Sequence, residues 1–458
     1  MEGLAFQFLC PPPLTRSECA HYDSWIRSTV TKLASIPPAS YDKEWQVLEK
    51  AQPGPQTLYY AAAITAILEK YQYTPDHERV AALYPKVLEF LRSYDPVQAR
   101  YVGNSWRNIV KFALSYADQM KEQDAPSFIQ PVQDAILRLD PTGSVLTSSH
   151  LLFVEQCLKH RTFSLALPVL DKDIYHIPSS IEDKFATTAI EEPCDPQAAP
   201  SSYITIGSGL TEELDGHRIL EYFLYGAMIY MGLSNWQRAL HFLEIVIRAP
   251  TRSCVSKVQL EAYKKWILVN LIEYGTVIAP PEFADTAASS LNLFATPYIT
   301  VAEAFKGSDY SVLLKEVEHS RSVWNHDSNG NLMNHVLFAY RKHAVINLGR
   351  IFKAIPISDI TSYLPFEEPQ MERFLEYLVQ HGHVQASLSS SDSSSGARIL
   401  RFTSDLKETS GPPTSAAESE FKSLLDRKTA EMNMLGSHIK EVEDKLRLSV
   451  VYARKQNI

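Results

Sequence analysis

The stretches SHLLFVEQCLKHRTFSLALPVLD (149–171) and YFLYGAMIYMGLSNWQRALHFLEIVIRAP (222–250) decide how this chain folds. Each reads as two short helices joined by a tight turn, with apolar residues recurring at i, i+3 and i+4. Laid over one another without gaps, Val154, Cys157, Phe163, Ala166 and Leu170 match Ala227, Tyr230, Trp236, Ala239 and Leu243, all at one offset (227 − 154 = 73). That offset is roughly two units of the ~34-residue tetratricopeptide length. The second copy adds Val246 and Pro250, where such a repeat takes a small apolar residue and a terminating proline. Small Ala166 and Ala239 let the second helix of a pair approach the first closely, and Phe163 or Trp236 plugs the groove at the turn. Stacked pairs of this kind make an α-solenoid. The competing reading is coincidence among amphipathic helices.

Working outward, residues 1–140 read as helices separated by proline. Segments 56–72 and 76–93 carry the helical apolar period, and Asp76 is placed as an N-cap, with Arg79 where a glutamate would complete a capping box. After the second copy, helices are expected over 256–275, 298–306, 310–319 and 329–354, so the repeats run on through 141–340. Between the copies, 178–212 is rich in Ser, Pro, Ala and Gly and reads as a long, mobile surface insertion.

Beyond residue 340 the pattern changes. A helix over 337–354 leads to a short one in PISDITSYL, with Ser358 as N-cap for Asp359 to Leu364. A third opens after Pro365, tolerates Pro369 in its first turn, and ends at Gly382. HVQASLS and ARILRFT then flank SSDSSSG, which is the pattern of a β-hairpin. Three helices and a hairpin over 341–403 make a winged helix. Its third helix holds Glu372 and Glu376, with Arg373 as its fixed cation. A groove-reading helix is basic or amide-rich, so protein docking is the expected use. The hairpin offers a strand edge for it, with Val384, Ala386 and Leu388 on one strand and Ile399 and Leu400 on the other as candidate partner-binding residues.

A linker, 404–415, precedes a predicted helix over 416–450. Phe421, Leu425, Lys428, Met432, Leu435, Ile439, Val442 and Leu446 recur in alternating steps of four and three, a coiled-coil-like seam with one polar break at Lys428. Gly436 weakens this helix by about 1 kcal/mol relative to alanine, so packing must hold it. The apolar members of the seam are further candidate partner-binding residues. The competing reading is a helix folded back on its own domain.

Composition excludes several classes. The 458 residues carry a net charge of −9, which argues against broad phosphate-backbone binding. The five cysteines are scattered, odd in number and form no C-x-x-C, which fits reduced thiols in a protein of the cytoplasm and nucleus. The N-terminus has an acidic second residue and a short apolar run broken by three prolines, unlike a signal peptide. The longest apolar stretch, around Trp266 to Val269, is far short of the ~20 residues that span a bilayer. A soluble protein is expected. No G-x-x-x-x-G-K-[ST] and no G-x-S-x-G occurs. His326, His335 and His343 have no carboxylate at ligand spacing. No catalytic, cofactor or metal site is expected.

Helical repeats running into a winged helix, in an acidic chain with a C-terminal helix, resemble the PCI-domain proteins. That module is shared by the proteasome lid, the COP9 signalosome and a translation initiation factor. Within it, the chain is similar to the subunit 3 family of the signalosome, on LTSSHLLFVEQCLKHRTFSLALPVLDKDI (146–174), YGAMIYMGLSNWQRALHFLEIVIRAP (225–250) and LEAYKKWILVNLIEYG (260–275). The resemblance covers roughly 145–402, and the insertion at 178–212 is longer than the family's usual connection. It implies a non-catalytic scaffold in a complex that removes Nedd8 from cullins, with other signalosome subunits as partners and subunits 1 and 8 as neighbours. The metalloprotease centre of that complex resides elsewhere and uses His-x-His-x7-Ser-x2-Asp. Here His381, His383 and Ser391 fit that spacing, but Ser394 stands in the ligand aspartate's place. Two other readings stay open: a proteasome-lid PCI subunit, and a nucleic-acid-binding PCI protein of messenger-RNA export, which would show a basic winged-helix face.

Overall fold

A computed structural model describes residues 16–35, 41–71, 77–118, 124–180, 193–195, 198–250, 255–278, 285–307, 309–364, 368–390 and 398–402. Within 422–443 it also describes 422, 425–426, 428–430, 432–437, 439–440 and 442–443. The chain divides into two compact units between Asn235 and Trp236.

Unit 1 is helical. Its elements are α1 (Arg16–Ser35), α2 (Tyr41–Lys50), α3 (Thr57–Tyr71), α4 (His77–Ser93), α5 (Pro96–Ala99), α6 (Gly103–Ala117), α7 (Ala125–Leu139), α8 (Ser148–Lys159), α9 (Phe163–Leu170), α10 (Pro200–Tyr203) and α11 (Gly216–Gly232). An aromatic column, Tyr60, Phe90, Tyr94 and Trp106, runs through the core with ring centroids 5.5–6.4 Å apart. The Tyr94 hydroxyl donates to the Ala135 carbonyl at 2.6 Å, so its one polar atom is satisfied where water is excluded.

The two copies of the repeat share a burial pattern and a turn device. All ten of its marker positions except Phe163 and Trp236 are fully buried. Both turns are closed by one backbone device. Arg161 and Ser234 adopt left-handed φ of 55° and 58°. The next amides, Thr162 and Asn235, then donate to the Cys157 and Tyr230 carbonyls, each at 2.9 Å. This is the Schellman closure, which satisfies carbonyls a helix end leaves open. It recurs where Ser328 (φ 55°) precedes Asn329, bonded to Trp324. Holding a non-glycine residue there costs about 1–2 kcal/mol. Phe163 rides on Gly232, where any Cβ would stand 2.5 Å from the ring.

The segment 178–212 is not one mobile insertion. Cys194 joins a buried cluster with Cys19, Tyr22, Ile26 and Leu58. The Arg100 guanidinium donates to the Pro193 carbonyl at 2.6 Å and lies 3.7 Å over the Tyr203 ring. Tyr203, Ile204 and Leu210 are buried. Further along, Arg107 donates to the Gly209 carbonyl at 2.9 Å, and the Ser148 amide donates to the Thr211 hydroxyl at 3.0 Å. These residues strap the early helices to α8. Residues 181–192 and 196–197 lie outside the described residues.

At the start of α8, His150 is buried against Thr147, whose backbone amide donates to its Nδ1 at 3.3 Å. A nitrogen that accepts is unprotonated, and burial pushes the imidazole down to about 4, against the pull of Asp140. Because the folded value is depressed, the stabilisation is complete above the unfolded value of ~6.5 and is lost as pH falls towards 4. Lowering the pH from 7 to 5 should cost about 2 kcal/mol through this group. Urea unfolding at both pH values should show that loss in the wild type, and His150→Gln should shrink it.

Unit 2 begins with α12 (Trp236–Arg248), α13 (Lys257–Tyr274), α14 (Asp285–Phe294), α15 (Thr296–Lys306), α16 (Tyr310–His319), α17 (Arg321–His326) and α18 (Gly330–Ile351). Helix α13 is its axle. Ser256 and Gln259 form a capping box at one end, and left-handed Gly275 (φ 72°) closes the other. It is buried on every side, as its run from Tyr263 to Ile272 demands, and packs on α12, α15 and α18. Lys264 and Lys265 sit in this helix, and neither is bare: Lys264 meets Asp327 at 2.7 Å, and Lys265 meets Glu261 and Asn329.

The winged helix follows as β1 (Ala354–Pro356), α19 (Ile357–Tyr363), α20 (Glu368–Gln380), β2 (Ala386–Ser390) and β3 (Arg398–Phe402). Its sheet has the order β1-β3-β2 and is antiparallel throughout. The hairpin therefore gains a third strand, and β3 is central. Two local expectations change. Pro356, not Ser358, is the N-cap of α19, because the strand ends there and proline has no amide to leave unpaired. Residue 340 falls inside α18, so a continuous helix crosses the expected domain boundary. Gly349 lets α18 approach β3 closely, since a Cβ there would meet the Phe402 ring at 2.7 Å. No helix among the described residues is long and apolar enough to cross a membrane.

Candidate docking surfaces

The strand register sorts the hairpin residues onto two faces. Leu388 pairs with Leu400, which pairs with Ile355 on its other side. Side chains alternate along a strand, so Ala386, Leu388 and Leu400 face inward, while Ile399 and Arg401 face outward with Ser387 and Ser389. Leu400 is completely buried and Val384 nearly so. These two are therefore corrected: they hold the winged helix together from inside and offer nothing to a partner. Ala386, Leu388 and Ile399 are half-buried. Among the described residues β2 pairs with β3 alone, which leaves its outer backbone edge open.

The acidic face of α20 is partly neutralised from within. Arg398 of β3 pairs with Glu372 and, at 3.2 Å, with Glu376. The charge that set this helix apart from a groove reader thus also ties it to the sheet. Beside it, Phe338, Phe374 and Tyr377 stack edge to face, and the His381 ring lies 4.0 Å from Tyr377. His381 Nδ1–H donates to the Tyr377 carbonyl at 2.9 Å, so that nitrogen is committed to the helix end. The partial desolvation of His383, with Lys342 and His381 nearby, holds it below the ordinary histidine range. Ser391 and Ser394 lie outside the described residues. Among the described residues no group of three or more His, Cys, Asp or Glu side chains is placed to hold a metal ion.

The C-terminal helix carries an open apolar row. Every described residue from Lys422 to Glu443 is helical. Leu425, Met432, Leu435, Ile439 and Val442 are 52%, 73%, 39%, 58% and 41% exposed. Phe421, Leu446 and the linker 404–415 lie outside the described residues. A row of large apolar side chains open to water is unusual on a stable surface. Sequence reasoning missed β1 and the strap at 193–212; the strap's one sequence signal was its large apolar residues, Tyr203, Ile204 and Leu210.

Helical repeats leading through a continuous helix into a three-stranded winged helix define the chain as a helical-repeat protein of the PCI class. The comparisons narrow this. The family of COP9 signalosome complex subunit 3 N-terminal helical repeats matches residues 40–287, more than half of the chain. COP9 signalosome complex subunit 3 of Emericella nidulans is 30% identical over 440 residues, covering 93% of this chain and 86% of that protein. The subunit 3 of Neurospora crassa is 28% identical, covering 83% and 76%, and that of Dictyostelium discoideum 23%, covering 80% and 78%. The chain belongs to the COP9 signalosome subunit 3 family.

Proposed function

We propose that this chain is a scaffold subunit of the COP9 signalosome, joining other subunits through its winged helix and its C-terminal helix. In this reading it takes part in removing Nedd8 from cullins, in cytoplasm and nucleus, without supplying a catalytic group. Its neighbours through the winged helix are subunits 1 and 8. Family membership supports the complex. The observation that carries the mode of assembly is the C-terminal helix, whose apolar row stands open to solvent. Each such side chain is worth roughly 1.5–3 kcal/mol when fully buried, so several together supply a strong docking energy.

The test is the double variant Leu435→Asp, Ile439→Asp in the full chain. Two carboxylates in a dry seam cost several kcal/mol, which is at least a hundredfold in affinity. Co-purification of the other signalosome subunits with the tagged chain should be lost, while its melting temperature stays that of the wild type. Normal co-purification, or collapse of the whole fold, would sink the proposal.

A further inference from the structure

Cys19 on α1 and Cys194 in the strap are 175 residues apart in sequence, and the fold brings them into one buried cluster with Tyr22, Ile26 and Leu58. Both are reduced, and neither shows more than 1% of its surface to solvent. The Cys194 thiol donates to the Cys19 carbonyl at 3.4 Å. A carbonyl oxygen lies about 2.4 Å from its own Cα, which puts the Cys194 sulfur within about 6 Å of the Cys19 Cα. A disulfide takes Cα atoms about 4.4–6.8 Å apart. A rotamer change at Cys19, with a small shift of the strap, therefore brings the two sulfurs to bonding distance. We propose that Cys19 and Cys194 form a redox modification site, which a hydroperoxide converts to a disulfide joining α1 to the strap.

A buried cysteine more often serves as a small apolar filler. The cover over this pair sets it apart. Half-buried Tyr101 packs against the cluster, with its hydroxyl in hydrogen-bond reach of Cys194 and donating to Asp23 at 2.9 Å. Arg27, exposed and paired with Asp23 at 2.6 Å, lies 5.8 Å over the Tyr101 ring. Cys194 thus sits beneath a polar lid one side chain thick, whose groups water also reaches. Cys157 on α8 is the contrast, since burial pushes its thiol up to about 12 and keeps it protonated. The chemistry takes two steps. The Cys194 sulfur, having given up its proton, attacks one peroxide oxygen; the O–O bond breaks, hydroxide leaves and takes that proton, and a sulfenic acid remains. The deprotonated Cys19 sulfur then attacks the Cys194 sulfur, the S–O bond breaks, and a second water leaves. Two electrons pass from the sulfurs to the peroxide. The bond closes a loop of 175 residues, the long kind that restrains an unfolded chain most. In a reducing compartment it is transient, formed under peroxide and removed by thiol exchange.

The experiment exposes the full, reduced chain to hydrogen peroxide near neutral pH, alkylates the remaining thiols and digests with trypsin. Cleavage after Lys and Arg leaves Cys19 in fragment 17–27 and Cys194 in fragment 185–218, each with one cysteine. The two fragments should be recovered joined, and the intact mass should fall by two hydrogens. Dithiothreitol should reverse both changes. Hydrogen exchange over α1 should slow by roughly tenfold or more in the oxidised chain and recover with the reductant. Cys19→Ser and Cys194→Ser should each abolish the link, and Cys157 should stay reduced throughout. The wild-type measurement decides by itself if either variant fails to fold. The proposal is overturned if the two fragments are never joined, or if Cys194 is carried to sulfinic acid while Cys19 stays reduced. Oxidation of Cys157 as fast as the pair overturns it too, since that reports unfolding rather than a site. So does a link that forms only in urea.

Discussion

Replacing Asp327 by leucine should lower the stability of unit 2 by about 3–5 kcal/mol, the cost of breaking a buried ion pair from one side. Asp327 ends the α17 turn and is the hub of a connected polar chain. Its carboxylate accepts from Lys264 at 2.7 Å and from the Tyr298 hydroxyl at 2.8 Å. Tyr298 accepts in turn from the Asn329 amide at 2.9 Å, and Asn329 accepts from Lys265 at 2.8 Å. One run of partners thus ties α13, α15 and the turn before α18. Lys264 and Asp327 side chains are only 13% and 10% exposed, so removing the carboxylate leaves an ammonium in a place with little water. Burial opposes ionisation of Asp327, yet the bonds from Lys264 and Tyr298 overcome it and hold the carboxyl below its usual range. Because its folded value is depressed, the stabilisation is present above the ordinary carboxylate range and is lost as pH falls through the lowered value. Urea unfolding followed by tryptophan fluorescence measures the loss, with Trp324, whose ring centroid lies 4.7 Å from that of Tyr298, as one of the six reporters. The double variant Asp327→Leu, Lys264→Met should recover most of the loss, since an apolar pair of similar volume often replaces a buried ion pair at little cost. A single variant costing under about 1 kcal/mol, or a double variant no better than the single, would show that the network is not what holds these helices.

Features governed by local rules were legible in the sequence. The left-handed Gly382 that ends the third helix needs only neighbours a few residues away and was read, whereas the capping box at Ser256 and Gln259 and the left-handed Gly275 follow the same rules and were not. The repeat was legible because its side chains recur at one offset. Its deeper signature, the left-handed Arg161 and Ser234, was hidden because neither residue type favours that conformation. The Asp327 network was illegible: Lys264 and its partner are 63 residues apart, and no spacing rule joins them. Strand β1 is three residues long, too short to show a period of two, and exists because β3 has a second edge to fill. The strap at 193–212 was masked by averaging. Its Ser, Pro and Gly content resembles a linker, while Tyr203, Ile204 and Leu210 do the burying. The candidate docking residues divided for a related reason. Alternation says that two faces differ, but which face is the core depends on where α19 and α20 lie.

That division can be tested at two adjacent residues. Leu400→Asp should unfold the winged helix, whereas Ile399→Asp should leave it folded. Leu400 is fully buried in the central strand, between Ile355 and Leu388 and over the face that receives α19. Arg398, the cation on the same face of β3, is already paired with Glu372 and Glu376 at the strand end, so a carboxylate at 400 is buried unpaired, which costs several kcal/mol even when it takes up a proton. That is a large share of the 5–15 kcal/mol that holds a typical domain together. Ile399, one position along, turns to the outer face, where Arg401 follows on the same side of the strand. An aspartate at 399 gains a cationic neighbour and stays in reach of water, so it should change stability by less than about 1 kcal/mol. Amide hydrogen exchange on the full chain distinguishes the cases. In Leu400→Asp, protection should vanish over 354–402 and persist in α13. In Ile399→Asp both should persist, which makes that variant, rather than any change at Leu400, the one able to report on partner docking. Wild-type protection of β3 in Leu400→Asp at pH 7 would mean that the inner face is open to water, and the assignment of the two faces would have to be reversed.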